Sequence, residues 1–174
     1  GYIEKEDNLS QYDNCWVYDD AMVIRDARIC DNARIYDRVI VNGLARVFGD
    51  AIVSDDAKVF DNAVLKDHAE IFDNAEIYGN ARVSGDAWVF GDAKVFGNAR
   101  VSGDAWVFGD AKVFGNARVY DDTMVSDNAC VFDNAWVSDN ACVSGDACVS
   151  DNACISDNAW VSDNACVSGD ACVS

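Results

Sequence analysis

From Val17 to Val173 every sixth residue is aliphatic, and all 27 such positions hold Val, Ile or Leu. Four residues after each stands a small residue, Ala at 24 of 26 positions, with Val39 and Thr123 the exceptions. The position just before the small residue is Asp or Asn in 23 of 26 repeats, so a polar corner separates the apolar positions of nearly every hexad. The unit reads aliphatic, variable, Gly or Asp, Asp or Asn, Ala, variable, with no insertion or deletion after Val17. The pattern is only weakly amphipathic at helical spacing. A composition of Val, Ala, Asp, Asn, Gly and Ser is poor helix material and suits short strands broken by turns. In each strand the aliphatic side chain points one way and its two neighbours the other. The Gly/Asp and Asp/Asn pair marks the corner, because these residues tolerate positive φ best. Ala then turns inward, where a tight corner leaves little room. Lys5 to Trp16 follow the phase less faithfully. This predicts an N-terminal cap or irregular first coil over residues 1–16 and a repeat domain over 17–174.

A second period lies above the first. Val83 to Arg100 reads VSGDAWVFGDAKVFGNAR, and Val101 to Arg118 repeats it identically. Three hexads therefore form one coil of a triangular prism, with residues eighteen apart in sequence stacked over one another. About nine coils at roughly 4.8 Å each predict a rod of about 45 Å. Hexads such as Val107-Phe108-Gly109-Asp110-Ala111-Lys112 and Val101-Ser102-Gly103-Asp104-Ala105-Trp106 resemble those of the hexapeptide-repeat superfamily. The resemblance covers residues 5–174 and implies an all-β, left-handed parallel β-helix. Periodicity alone does not fix that hand, and general crossover rules favour the opposite one.

The 18-residue unit assigns side chains to three outer faces. The first carries Trp16/Tyr18, Arg34/Tyr36, Ile52/Ser54, Glu70/Phe72, Trp88/Phe90, Trp106/Phe108, Met124/Ser126, Cys142/Ser144 and Trp160/Ser162. The second stacks Phe60, Tyr78, Phe96, Phe114 and Phe132 beside Lys58, Glu76, Lys94, Lys112 and Cys130. The third stacks Arg28, Arg46, Val64, Arg82, Arg100, Arg118, Trp136, Cys154 and Cys172. Exposed aromatic ladders (Phe72, Trp88, Phe90, Trp106 and Phe108; Phe96, Phe114 and Phe132) point to a protein interface, to mutual stacking that shields the sheet, or to a carbohydrate surface. The Arg column admits two readings, an anion groove or neutralisation of adjacent Asp corners. The overall charge favours the second.

That charge is −18, from 31 Asp and Glu against 13 Lys and Arg. It argues against nucleic acid and anionic membrane surfaces as partners. No apolar run approaches the roughly 18 residues of a membrane span, and Gly1 to Asp7 lacks the basic and apolar regions of a signal peptide. After Arg118 there is no Lys or Arg, while ten Asp remain. Among them Asp121, Asp139 and Asp157 share one corner column. Their mutual repulsion calls for turn-amide hydrogen bonds or a bound Ca²⁺.

Of eight cysteines, Cys15 takes an inward position and Cys30 an isolated outward one. Cys130, Cys148 and Cys166 form one outward column, Cys154 and Cys172 another, and Cys142 stands alone. Free or interfacial thiols, inter-coil or inter-chain disulfides and a soft metal all remain open readings, and the compartment is undetermined.

Acyltransferases of the resembling superfamily use a His base and a loop extruded from a corner, and its carbonic anhydrase-like members use three His ligands. This chain has one histidine, His68, in a corner position, and no extruded loop. The expectation is a non-enzymatic structural protein that assembles into homo-oligomers or filaments through aromatic faces and an uncapped final coil. The alternatives are a module binding a repetitive ligand (glycan, Ca²⁺ or ice) and an acyltransferase homologue lacking its own catalytic residues.

Overall fold

The computed structural model describes residues 1–174. Each hexad contributes a two-residue strand, such as Trp88–Val89 or Trp106–Val107, followed by a turn. Every strand from Trp16–Val17 to Cys154–Ile155 pairs in parallel with the strand eighteen residues later; Val89 lies opposite Val107. Three parallel sheets of ten, nine and nine strands result, and they form the sides of a triangular solenoid of about ten turns. Two residues are enough for a strand because each is hydrogen-bonded to the coils on both sides, so pairing runs along the rod rather than along the chain.

Inward-facing aliphatics and alanines merge into one cluster of 48 buried residues, most of them with no exposed surface. The two departures from Ala are absorbed. Val39 is fully buried, and the buried Thr123 donates its hydroxyl proton to the Tyr120 carbonyl.

The corners explain the Gly/Asp alternation. Each puts a residue at positive φ: eleven glycines at 68–78°, fourteen aspartates, and Arg25 at 59°. Asp serves a second purpose there. The N–H of the corner residue one coil later has no backbone acceptor, and the Asp carboxylate receives it. Gly49 donates to Asp31 at 2.9 Å, Gly91 to Asp73 at 3.0 Å and Gly145 to Asp127 at 3.0 Å. Asx chemistry of this kind satisfies a backbone donor that Gly alone leaves to water.

The first coil departs from the predicted phase. Tyr2–Ile3 pairs with Met22–Val23, and Leu9 bridges to Ile29, so the partners are twenty residues apart instead of eighteen. By Trp16–Val17, which pairs with Arg34–Ile35, the spacing is eighteen. Ile3 and Leu9, and not Lys5 and Gln11, hold the aliphatic positions, and two extra residues lie between Leu9 and Val17. This added coil raises the count above the nine expected. A short 3-10 turn, Glu6–Asn8, closes it. The buried Asn8 amide donates to the Arg25 and Ala27 carbonyls at 2.9 and 2.7 Å. No helix is long and apolar enough to cross a membrane.

Candidate functional site

Identical coils in register turn each outward position into a column, and the columns are the candidate surfaces. On the first face Trp88 and Trp106 stack with ring centroids 5.1 Å apart. Beside them Phe72, Phe90 and Phe108 stack at 4.8 and 5.0 Å. The two ladders touch edge to face, Phe72 with Trp88 and Phe90 with Trp106. On the second face Phe60, Tyr78, Phe96, Phe114 and Phe132 form one unbroken stack with spacings of 4.8–5.0 Å. These rings are half-buried by one another, whereas Trp106, Trp136 and Trp160 stay exposed. Ring offset and coil rise match, so each pair gains stacking without displacing the backbone.

Alternating charge lies beside the second ladder. Glu76 accepts from Lys58 at 3.4 Å and from Lys94 at 2.9 Å. The Lys94 hydrogen bond holds the Glu76 carboxyl below its usual range and raises Lys94 in turn.

The Arg column acts on the corner acids without pairing with them: the hydrogen bond from Lys5 and, after it, the charge of Arg28 hold the Asp26 carboxyl below its usual range. No ion pair joins Arg28, Arg46, Arg82, Arg100 or Arg118 to a carboxylate; the one paired arginine is Arg38, with Asp56. The corners preceding Arg82, Arg100 and Arg118 are Gly79-Asn80, Gly97-Asn98 and Gly115-Asn116, which carry no acid. These asparagines belong to a ladder that the hexad reading overlooked. Each side-chain amide donates to the next coil in the series Asn62, Asn80, Asn98, Asn116, Asn134, Asn152 and Asp170, at 3.0–3.4 Å. The 18-residue period puts these asparagines in one column, and the side-chain rotamers set the direction in which they donate. All donors point toward the C-terminal coils. A carboxylate, which only accepts, therefore fits at the end of a run, as in Asn32 to Asp50, Asn128 to Asp146 and Asn152 to Asp170.

The remaining corner column is acidic. His68 sits between Asp50 (Nε2, 3.5 Å) and Asp86 (Nδ1, 3.2 Å). Asp86, Asp104 and Asp122 then follow on successive coils. Burial first, and then the charges of Asp122 and Asp86, push the Asp104 carboxyl above its usual range. The neighbouring column holds Asp121, Asp139 and Asp157 as placed from sequence. Asp139 accepts the Asp157 N–H at 3.4 Å and the Ser138 hydroxyl at 3.0 Å. No three His, Cys, Asp or Glu side chains converge as a metal-binding group.

The thiol columns form in register, Cys130 beside Cys148, Cys148 beside Cys166, and Cys154 beside Cys172. All eight thiols are free. Cys15 is buried in the core, with its sulfur 3.4 Å from the Ile29 carbonyl. Burial pushes the Cys142, Cys148 and Cys154 thiols up, and flanking Cys130 and Cys166 add to the effect on Cys148. Neutral thiols are poor nucleophiles and poor ligands.

Three stretches of the chain, residues 27–43, 75–91 and 93–109, match the family described as the YdcK beta solenoid repeat. No curated protein matches the chain.

Proposed function

We propose that this β-solenoid is a non-catalytic structural protein of the left-handed hexapeptide-repeat type that associates with its own copies through its aromatic faces. The observation behind this is the apolar stripe on the first face, where the Trp88–Trp106 stack lies against the Phe72–Phe90–Phe108 ladder. Exposed apolar area of this kind is characteristic of interfaces. Its neighbours on adjacent coils are equivalent, so copies can engage laterally at more than one register. His68 is occupied by two aspartates at an exposed corner, which supports reading it as a corner residue rather than a base. The net charge of −18 opposes association, so added salt strengthens it. Light scattering across concentration and salt, with electron microscopy of the same samples, tests the reading. The expected result is a mass that rises with concentration and salt and falls to the monomer in Trp88→Arg/Trp106→Arg. A monomer under all conditions refutes it.

A further inference from the structure

Arg82, Arg100 and Arg118 stand in register on three consecutive coils of the third face. All three are exposed and unpaired, in a chain with 31 Asp and Glu. Stacked coils place like charges about one coil rise apart, and stacked rings elsewhere put that rise at 4.8–5.0 Å. In-register like charges repel. On the second face the same chain removes the problem by interposing Glu76 between Lys58 and Lys94. On the third face it interposes nothing. The preceding corners are Gly-Asn with their amides engaged with one another, the residues after the column are Ser84, Ser102 and Tyr120, and the acids of the following corner, Asp86, Asp104, Asp121 and Asp122, form no ion pair with the column. The three guanidiniums are therefore free to take an external anion.

We infer that the third face binds a linear polyuronate lying along the rod axis, with successive sugar carboxylates opposite Arg82, Arg100 and Arg118. A guanidinium presents a planar fork that matches a carboxylate. Ser84 and Ser102 line an open groove of about 600 Å³ with Arg46, Lys66, Arg82 and Arg100, where Asp121 is the one acid, and they offer hydroxyls to sugar hydroxyls. One coil beyond Arg118 the column continues as exposed Trp136, whose ring lies under the Arg118 guanidinium at 5.5 Å and holds it in the column. A polymer with one charge per sugar suits a column with one charge per coil. Duplex nucleic acid, with a charge every ≈1.7 Å of axis, presents a spacing that one guanidinium per coil does not match. Because screening limits the reach of exposed charges to about 8 Å at physiological salt, the local column and not the net charge decides at contact.

Calorimetric titration of the full chain with a galacturonate oligomer long enough to span three coils tests this. Its methyl-esterified form and a duplex DNA serve as comparators. Expected are binding of the acid oligomer that weakens with salt, none of the ester, and far weaker binding of the duplex. Each Arg→Gln change weakens binding on the order of tenfold, and Arg82→Gln/Arg100→Gln/Arg118→Gln abolishes it. Lys94→Gln/Lys112→Gln on the second face leaves it intact. The corresponding triple Arg→Lys protein keeps the charge and the fold, and binds more weakly than wild type. Four results overturn the proposal. They are no binding by the wild type, binding that survives the triple Gln change in a folded protein, equal affinity for the duplex, and self-association lost with the arginines, which assigns the column to the acidic coils of a second copy. Salt weakens this binding and strengthens lateral association, so the two readings fail separately.

Discussion

Replacing Asn98 by Asp tests the direction of the amide ladder. Asn98 accepts from Asn80 at 3.1 Å and donates to the Asn116 carbonyl oxygen at 3.2 Å. A carboxylate preserves the first bond and converts the second into an oxygen–oxygen contact. Losing one side-chain hydrogen bond costs about 1 kcal/mol net. Holding an anion against an unpaired acceptor adds a similar amount in this exposed setting, giving about 2 kcal/mol in total. For a chain of this size each kcal/mol moves Tm by about 2–4 °C, so the deficit at pH 7 is about 4–8 °C. The sign with pH follows from linkage. The substituted carboxyl has a folded pKa above its unfolded value, so its penalty grows as pH rises through that value and disappears below it. Circular-dichroism melts of both proteins at pH 7 and pH 3 provide the readout, with the difference at each pH as the measured quantity. At pH 3 the protonated acid donates to Asn116 and the deficit closes. An N98D protein that melts with wild type at pH 7, or a deficit unchanged at pH 3, would refute the directional ladder.

Other consequences are equally direct. Asp104→Asn removes a carboxyl whose folded pKa is raised by burial and by Asp122 and Asp86; the melting point should rise at pH 7 and stay unchanged in acid, where wild-type Asp104 is already neutral. Gly97 and Gly169 share φ of +72°, but a Cβ at Gly97 would lie 3.0 Å from the Gly115 backbone, whereas one at Gly169 meets nothing within 4 Å. Gly97→Ala should therefore melt below Gly169→Ala by the equivalent of at least about 1 kcal/mol, since both carry the left-handed strain and one adds crowding. Gly97→Asp should recover part of that loss by accepting the Gly115 N–H, as other corner aspartates do; equal melting of the two Ala variants counts against the packing argument. With limiting iodoacetamide, mass mapping should find exposed Cys166 and Cys172 modified first and buried Cys15 last. Early modification of Cys15 would contradict its inward placement.

The pairing of Val89 with Val107, the aromatic stacks and the thiol columns were legible because a solenoid makes its tertiary contacts at a constant sequence offset. Once three hexads close a coil, the residue eighteen positions away is the spatial neighbour. The Arg column was legible in the same way, but the absence of an ion pair between Arg82, Arg100 or Arg118 and the acids of the following corner depends on side-chain placement. The first coil departs from the count because Lys5 and Gln11 continue it while the strand partners of Val23 and Ile29 are Ile3 and Leu9, of which Leu9 packs against the core.

The amino-acid sequence by itself determined the period, the closure of three hexads into a turn, the inward Val and Ala, and which side chains share a column, since each follows from alternation and corner chemistry within six residues. The tertiary structure decided what those columns do. It set the direction in which the asparagines donate and selected the carboxylates that take up a neighbouring N–H. It also left one row of arginines without a partner and fitted two extra residues into the first coil. These depend on rotamers and on the rise between coils, quantities that a repeat pattern leaves undetermined.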